Sequence, residues 1–241
     1  PGEVRGVLPS TQWKKNTYKK AEQQRWYGGE TISLGIGQGY NAFTMLQLAT
    51  ATSTLANGGV VRKPRLVMAT QDPIARVDRS VAGEEPLNLG FKPENVAVVK
   101  QGLIGVAKEG TSARVFAGTP YQSAGKTGTA QAVTIGQKDK YNASKLEEHQ
   151  RDHALYMAFA PADEPQIALA IVVENAGFGA AQAAPIARRV FDYWLLGDYP
   201  SIEDIDASQK GLAASPIGVR RKKEEIVMAP SEGVVRLVGN R

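Results

Sequence analysis

No cysteine occurs among the 241 residues, so neither a disulfide nor a thiolate-held metal can contribute to this chain. Histidine is nearly as scarce: His149 and His153 are the only two. They stand at i and i+4 in His149-Gln150-Arg151-Asp152-His153, a spacing that could hold zinc on a helix with Asp152 or Glu148 as a third ligand. The glutamate that follows the first histidine in zincins is missing, and the surroundings are polar, so a solvated segment between strands is favoured and no metal is expected. No run of 18 apolar residues exists, and no basic-then-apolar segment opens the chain, so nothing reads as a membrane span or an export signal. Charge of one sign is also lacking. With 29 Lys and Arg against 24 Asp and Glu, the balance does not by itself argue for nucleic acid. The stretch from Trp13 to Tyr27 does interleave cations with aromatics, as single-strand binders do. A solvated loop with its aromatics packed inward is the favoured reading, and no nucleic-acid partner is expected. Gly35-x-Gly37-x-Gly39 has neither the third-glycine spacing of a dinucleotide site nor the Lys-Ser or Lys-Thr of a phosphate loop. It reads as a tight turn, and no cofactor is expected.

What is present suits one globular domain better than two: 42% of residues are hydrophobic, enough for a sizeable core at this length. Residues 41–57 carry the i, i+3, i+4, i+7 spacing of a helix, with Thr44 as N-cap and Gly58 as the stop. Asp72 to Lys92 is polar and broken by Pro73, Gly83, Pro86 and Gly90, which predicts a surface ribbon of irregular strands. A second helix runs from Pro93 at N1 to Gly110. Three strands follow at Gln122–Ile135, Ala154–Pro161 and Gln166–Glu174, the last two forming a hairpin around Ala162-Asp163-Glu164-Pro165. Pro185 is expected to open the last helix, with Ile186, Val190 and Trp194 packing across the sheet and Gly197 beyond its end. The fold class is therefore α+β, an antiparallel sheet covered by helices. Residues 1–200 read as the domain and 201–241 as a C-terminal tail with little structure of its own.

Lys126-Thr127-Gly128-Thr129-Ala130-Gln131 places a cation and a bare backbone within an apolar strand pattern. Around it stand Gly35-Ile36-Gly37-Gln38-Gly39, then Thr44 to Ala49, Leu55 to Gly59, Ala158 to Pro161, Val173-Glu174-Asn175 and Pro185 to Arg188. Together these resemble the class B penicillin-binding proteins, over roughly residues 1–197. Of the family's three motifs only Lys-Thr-Gly is clear. No Ser-x-Asn occurs. Ser123-Ala124-Gly125-Lys126 matches Ser-x-x-Lys literally, but that motif needs a helix, where positions three apart share a face; in a strand, Ser123 and Lys126 point to opposite faces. The chain opens at Pro1-Gly2-Glu3, which in the family follows both other motifs. It therefore reads as a C-terminal piece that carries no nucleophile and is inactive alone.

The resemblance implies a peptidoglycan D,D-transpeptidase of cell elongation, a serine acyltransferase acting on stem peptides ending in D-alanyl-D-alanine and inhibited by β-lactams. It implies a periplasmic location with an N-terminal membrane anchor outside this chain. The expected partners are the stem peptide, β-lactam antibiotics, the N-terminal part of the same enzyme and the cell-elongation machinery. Lys126 would supply positive charge to the substrate carboxylate, and the hydroxyls of Thr127 and Thr129 would donate to it. A backbone N–H at or beside Thr129 would pair with that of the absent serine as an oxyanion hole, a contribution of roughly 3 to 4 kcal/mol per donor. Gly128 would let a substrate strand approach. Gln131 and Thr111-Ser112 are weaker candidates. The alternatives are a non-catalytic β-lactam or peptidoglycan sensor, and a β-lactamase or D,D-carboxypeptidase.

Overall fold

The computed structural model describes residues 3–132, 142, 146–212 and 214–226. Three short helices come first: α1 (Thr11–Thr17), α2 (Ala21–Gln24) and α3 (Gly28–Gly35). Ser10 caps α1 by accepting the Trp13 N–H at 3.0 Å, as an N-cap serine should. The basic stretch is thus short helices rather than a loop, and its aromatics gather: Trp13 lies 5.2 Å and Tyr18 6.1 Å from the Tyr40 ring. Lys14 is buried against Glu30 and the Arg25 carbonyl. The hydrogen bond from Lys14, helped by the Tyr27 N–H, holds the Glu30 carboxyl below its usual range.

Helix α4 (Met45–Ala56) starts at a capping box in which Thr44 accepts the Gln47 N–H and the Gln47 side chain accepts the Thr44 N–H, both at 3.1 Å. This cap shortens the helix expected over 41–57, because the N-cap residue itself must be extended. The ribbon expected over Asp72 to Lys92 starts earlier: β1 (Val60–Val61) pairs with β4 (Leu87–Asn88) and β2 (Ala69–Gln71) with β3 (Asp78–Ser80), both antiparallel, so that two of these strands precede its expected start. Helix α5 (Pro93–Lys108) opens on Pro93, and α6 (Ala113–Phe116) follows it.

The main sheet is antiparallel, ordered β5 (Ala124–Ala130), β6 (His153–Ala160), β7 (Ile167–Val173). Register sets Lys126 opposite Met157, Thr127 opposite Tyr156 and Gly128 opposite Leu155. The first strand stops at Ala130, five residues short of the expected end, and residues 133–135 lie outside the described residues. On one face Ala124 and Phe159 meet Ala56, Leu103 and Ile104 of α4 and α5. On the other, Ala154, Tyr156 and Ala158 meet α6 and α7 (Gly179–Leu196). The Phe116 ring stacks on Tyr156 with centroids 6.1 Å apart.

Two expectations about the chain's end are corrected. Pro185 lies inside α7 rather than at its first turn; the helix begins at Gly179, which lies so close to the Leu155 and Gly128 backbone that no side chain fits there. The face turned to the sheet is Ala183, Ala184, Ala187, Arg188 and Phe191, while Ile186 and Trp194 are 42% and 59% exposed. Small residues let the helix approach the alanine-rich strands closely, and this decides the orientation over side-chain hydrophobicity. Residues 201–226 are not a loose tail either. Helix α8 (Ile202–Gln209) is capped by Ser201, and its Asp204 is fully buried against Arg189 of α7. Beyond Ile226 the chain lies outside the described residues, including the Gly233–Val238 stretch.

Candidate active site

β5 lies at one edge of the three-stranded sheet among the described residues, and it contains the Lys-Thr-Gly motif. Side chains alternate across it, so Lys126 and Gly128 face the α4 side, whereas Gly125, Thr127 and Thr129 face the α7 side. The cross-strand neighbours agree: a Cβ on Gly125 would sit 2.5 Å from the Tyr156 hydroxyl, and one on Gly128 would meet only Leu155, at 3.3 Å. The ammonium and the two hydroxyls thus leave the backbone on opposite sides. Lys126 closes the gap by curling over the margin, where its Nζ donates to the Thr127 carbonyl at 2.7 Å.

The lateral backbone groups matter as much as the side chains. The Thr127 carbonyl accepts from Lys126, and the Thr129 carbonyl accepts from the Gln38 side chain at 3.3 Å. In a strand the N–H and C=O of one residue point to the same side, so the N–H groups of Thr127 and Thr129 also face the margin away from β6. Beside them lies a cleft of about 200 Å³, walled by Ile36, Gly37 and Gln38, floored by Leu155, Met157 and Ala170, and bordered by Lys126 through Ala130. Uncapped, the N-terminus of α7 lies behind Gly128, adding a partial positive charge on that side.

Thr111 and Ser112, paired as weaker candidates, part company. The Thr111 hydroxyl lies 3.0 Å from that of Thr127, so it borders the motif. Ser112 is buried, bonded to the Val106 carbonyl and the Tyr156 hydroxyl, each at 3.1 Å; it supports the sheet from behind. Burial pushes the Tyr156 phenol up to about 12, with the Ser112 hydroxyl pulling the other way. Ser123 precedes β5 and is 2% exposed, so no helix unites it with Lys126. Gln131 is exposed, one residue beyond the strand. His149 lies on a short 3-10 turn (Glu148–Gln150) and His153 starts β6, accepting the Asn175 N–H at 2.9 Å; they do not share a helix. Among the described residues, no group of three or more His, Asp or Glu side chains could hold a metal ion. Gln38 was not singled out from sequence. Its only sign there is the pair of glycines around it, at φ 78° and 73°, which bend the loop toward β5.

The penicillin binding protein transpeptidase domain matches residues 6–192. The chain belongs to that family. Peptidoglycan D,D-transpeptidase MrdA of Haemophilus influenzae is 38% identical over 207 residues, which cover 83% of this chain and 30% of that protein. A crystal structure of Pseudomonas aeruginosa PBP2 in complex with WCK 5153 superimposes with a TM-score of 0.64 at 38% identity, over 81% of this chain and 38% of that one. The complex between PBP2 and MreC from Helicobacter pylori gives a TM-score of 0.61 at 26% identity, over 82% and 32%. The transpeptidase-family chain therefore spans about a third of the length of the relatives it matches. The resemblance seen in its motifs is shown, and so is the mixed fold of helices and antiparallel sheet.

Proposed function

We propose that this chain supplies the carboxylate-binding and oxyanion half of an elongation-type peptidoglycan D,D-transpeptidase, with the nucleophilic serine on the part of the enzyme that precedes it. The observation that carries this reading is the β5 margin, where the Lys126 ammonium lies on the Thr127 carbonyl and the Thr127 and Thr129 backbone groups face away from β6. A stem peptide ending in D-alanyl-D-alanine adds beside β5 as an extra strand. Its terminal carboxylate takes hydrogen bonds from Thr127 and Thr129, with Lys126 supplying charge at the margin. Serine attacks the penultimate carbonyl, whose oxygen becomes negative and is met by the Thr129 N–H. The carbonyl–nitrogen bond breaks and D-alanine leaves; an acceptor amine then displaces the serine oxygen, forming the cross-link. Gly128 keeps the cleft side of the strand clear, and Gln131 lies at the strand exit, where it borders the bound peptide.

β-Lactams bind the same way, their carboxylate and strained amide standing in for the terminal dipeptide. The relatives named as D,D-transpeptidase and as PBP2 support the elongation role, and the Helicobacter pylori complex supports contact with the elongation machinery. Location on the periplasmic side of the inner membrane, anchored outside this chain, goes with that role; among the described residues no helix is long and apolar enough to cross a membrane.

Intact-mass measurement after incubation with a penicillin tests the reading. The chain alone should acquire no adduct, while the chain joined to its N-terminal part should acquire one stably. Adduct formation on Ser123 in the chain alone would overturn the assignment, and rapid release of hydrolysed drug by the joined protein would identify a β-lactamase instead.

A further inference from the structure

Gln38 touches the β5 margin from 91 residues before Thr129. Its loop is built to hold it there. Gly37 and Gly39 adopt left-handed backbone at φ 78° and 73°, a conformation that favours glycine. The Gln38 N–H donates to the Ser33 carbonyl at 2.9 Å, and its own carbonyl accepts from Asn41 Nδ2 at 3.2 Å. The backbone on both sides of the side chain is therefore tied down, and the carboxamide Nε2 reaches the Thr129 carbonyl at 3.3 Å.

Thr129 stands at the place where β5 loses support. Ala130 is the last residue paired with β6, opposite His153, and Gln131 is outside the strand. On its other side β5 has no strand neighbour among the described residues, so the peptide groups there lack the ladder that would fix their planes. An amide N–H donated to the Thr129 carbonyl supplies the bond a neighbouring strand would make. Since the N–H and C=O of Thr129 point to the same side, holding one aims the other.

We propose that Gln38 is a positioning residue for acyl transfer: its carboxamide acts as a one-residue surrogate strand that holds the Thr129 backbone so that the Thr129 N–H points at the developing oxyanion. This rests on the function proposed above. It predicts a role in the acylation step rather than in drug binding, because the oxyanion forms only after attack.

The test uses this chain joined to its N-terminal part, with Gln38→Met, which keeps the length without charge but cannot donate, and Gln38→Ala. Acylation by a penicillin is resolved by stopped-flow into a dissociation constant and a first-order acylation rate, and thermal midpoints are recorded alongside. Both variants should acylate about tenfold more slowly, the loss of one modest hydrogen bond in the transition state, with the dissociation constant and the midpoint close to the parent. Unchanged acylation in the variants, or a loss confined to the dissociation constant or matched by a fall in midpoint, overturns the Gln38 role while leaving the proposed function standing. A parent protein that forms no adduct overturns both.

Discussion

Two glycines three residues apart in β5 do different work, and their neighbours say which. A methyl on Gly125 would collide with the Tyr156 hydroxyl at 2.5 Å and ring carbon at 2.7 Å, and that ring is fixed between Phe116 and the sheet. Gly125→Ala should therefore destabilise the fold by roughly 1–3 kcal/mol, read as a lower denaturation midpoint. Gly128 has room, with only the Leu155 Cβ at 3.3 Å. Gly128→Ala should cost under about 1 kcal/mol yet slow penicillin acylation of the joined protein, since its Cβ would project into the cleft. Equal loss of stability in the two variants would remove the distinction. The buried phenol of Tyr156 adds a pH effect. Its pKa is raised to about 12, chiefly by burial, so it stabilises the fold fully below the unfolded value near 10 and loses that contribution as pH rises toward 12. Denaturation between pH 9 and 11 should show a decline that Tyr156→Phe makes shallower; the full span is about 3 kcal/mol.

Among the elements, α7 is held by charge as much as by apolar contact. Arg188 and Asp192 are 2% and 3% exposed, and the Arg188 Nε lies 2.9 and 2.8 Å from the two carboxylate oxygens. Arg188 also donates to the Val115 carbonyl at 3.0 Å, and Tyr121 donates to Asp192 at 2.7 Å. The phenol of Tyr121 is pushed well above its usual value, first by burial and then by that carboxylate. Asp192→Ala strands the buried Arg188 and should cost about 3–5 kcal/mol, whereas Arg188→Ala should cost less, because Asp192 keeps Tyr121 and the partly exposed Arg220, 3.4 Å away. Replacing both by leucine and methionine should cost less than Asp192→Ala alone. Additive losses in a double-mutant cycle would show that the pair is not coupled.

Across the whole molecule, the domain match ends at residue 192, yet polar ties back to earlier residues continue as far as Lys222. Asp204 receives Arg189 Nε at 2.8 Å and the Ile217 N–H at 3.2 Å; Ser215 donates to the Arg114 carbonyl at 2.6 Å. Asp198 pairs with Arg220 and Lys222. Burial raises the Asp198 carboxyl, but those two cations together outweigh it and hold it below its usual range. Asp204→Ala should release this segment without unfolding the sheet. Limited proteolysis would then cut between Lys210 and Arg220 in the variant and spare the parent chain; equal cutting would mean that Asp204 does not anchor it.

Local pattern was enough for the helix cap at Thr44, the hairpin of β6 and β7, the Lys-Thr-Gly strand and the family likeness, because these depend on residues close in sequence: a capping box, alternation, a motif on one strand. The face of α7 turned to the sheet, the burial of Asp204, the separation of Thr111 from Ser112 and the reach of Gln38 to Thr129 were settled only in three dimensions. Each depends on groups tens of residues apart, whose approach is set by close packing and by the need to satisfy buried charge and open-edge backbone. Hydrophobic spacing along one helix does not encode either.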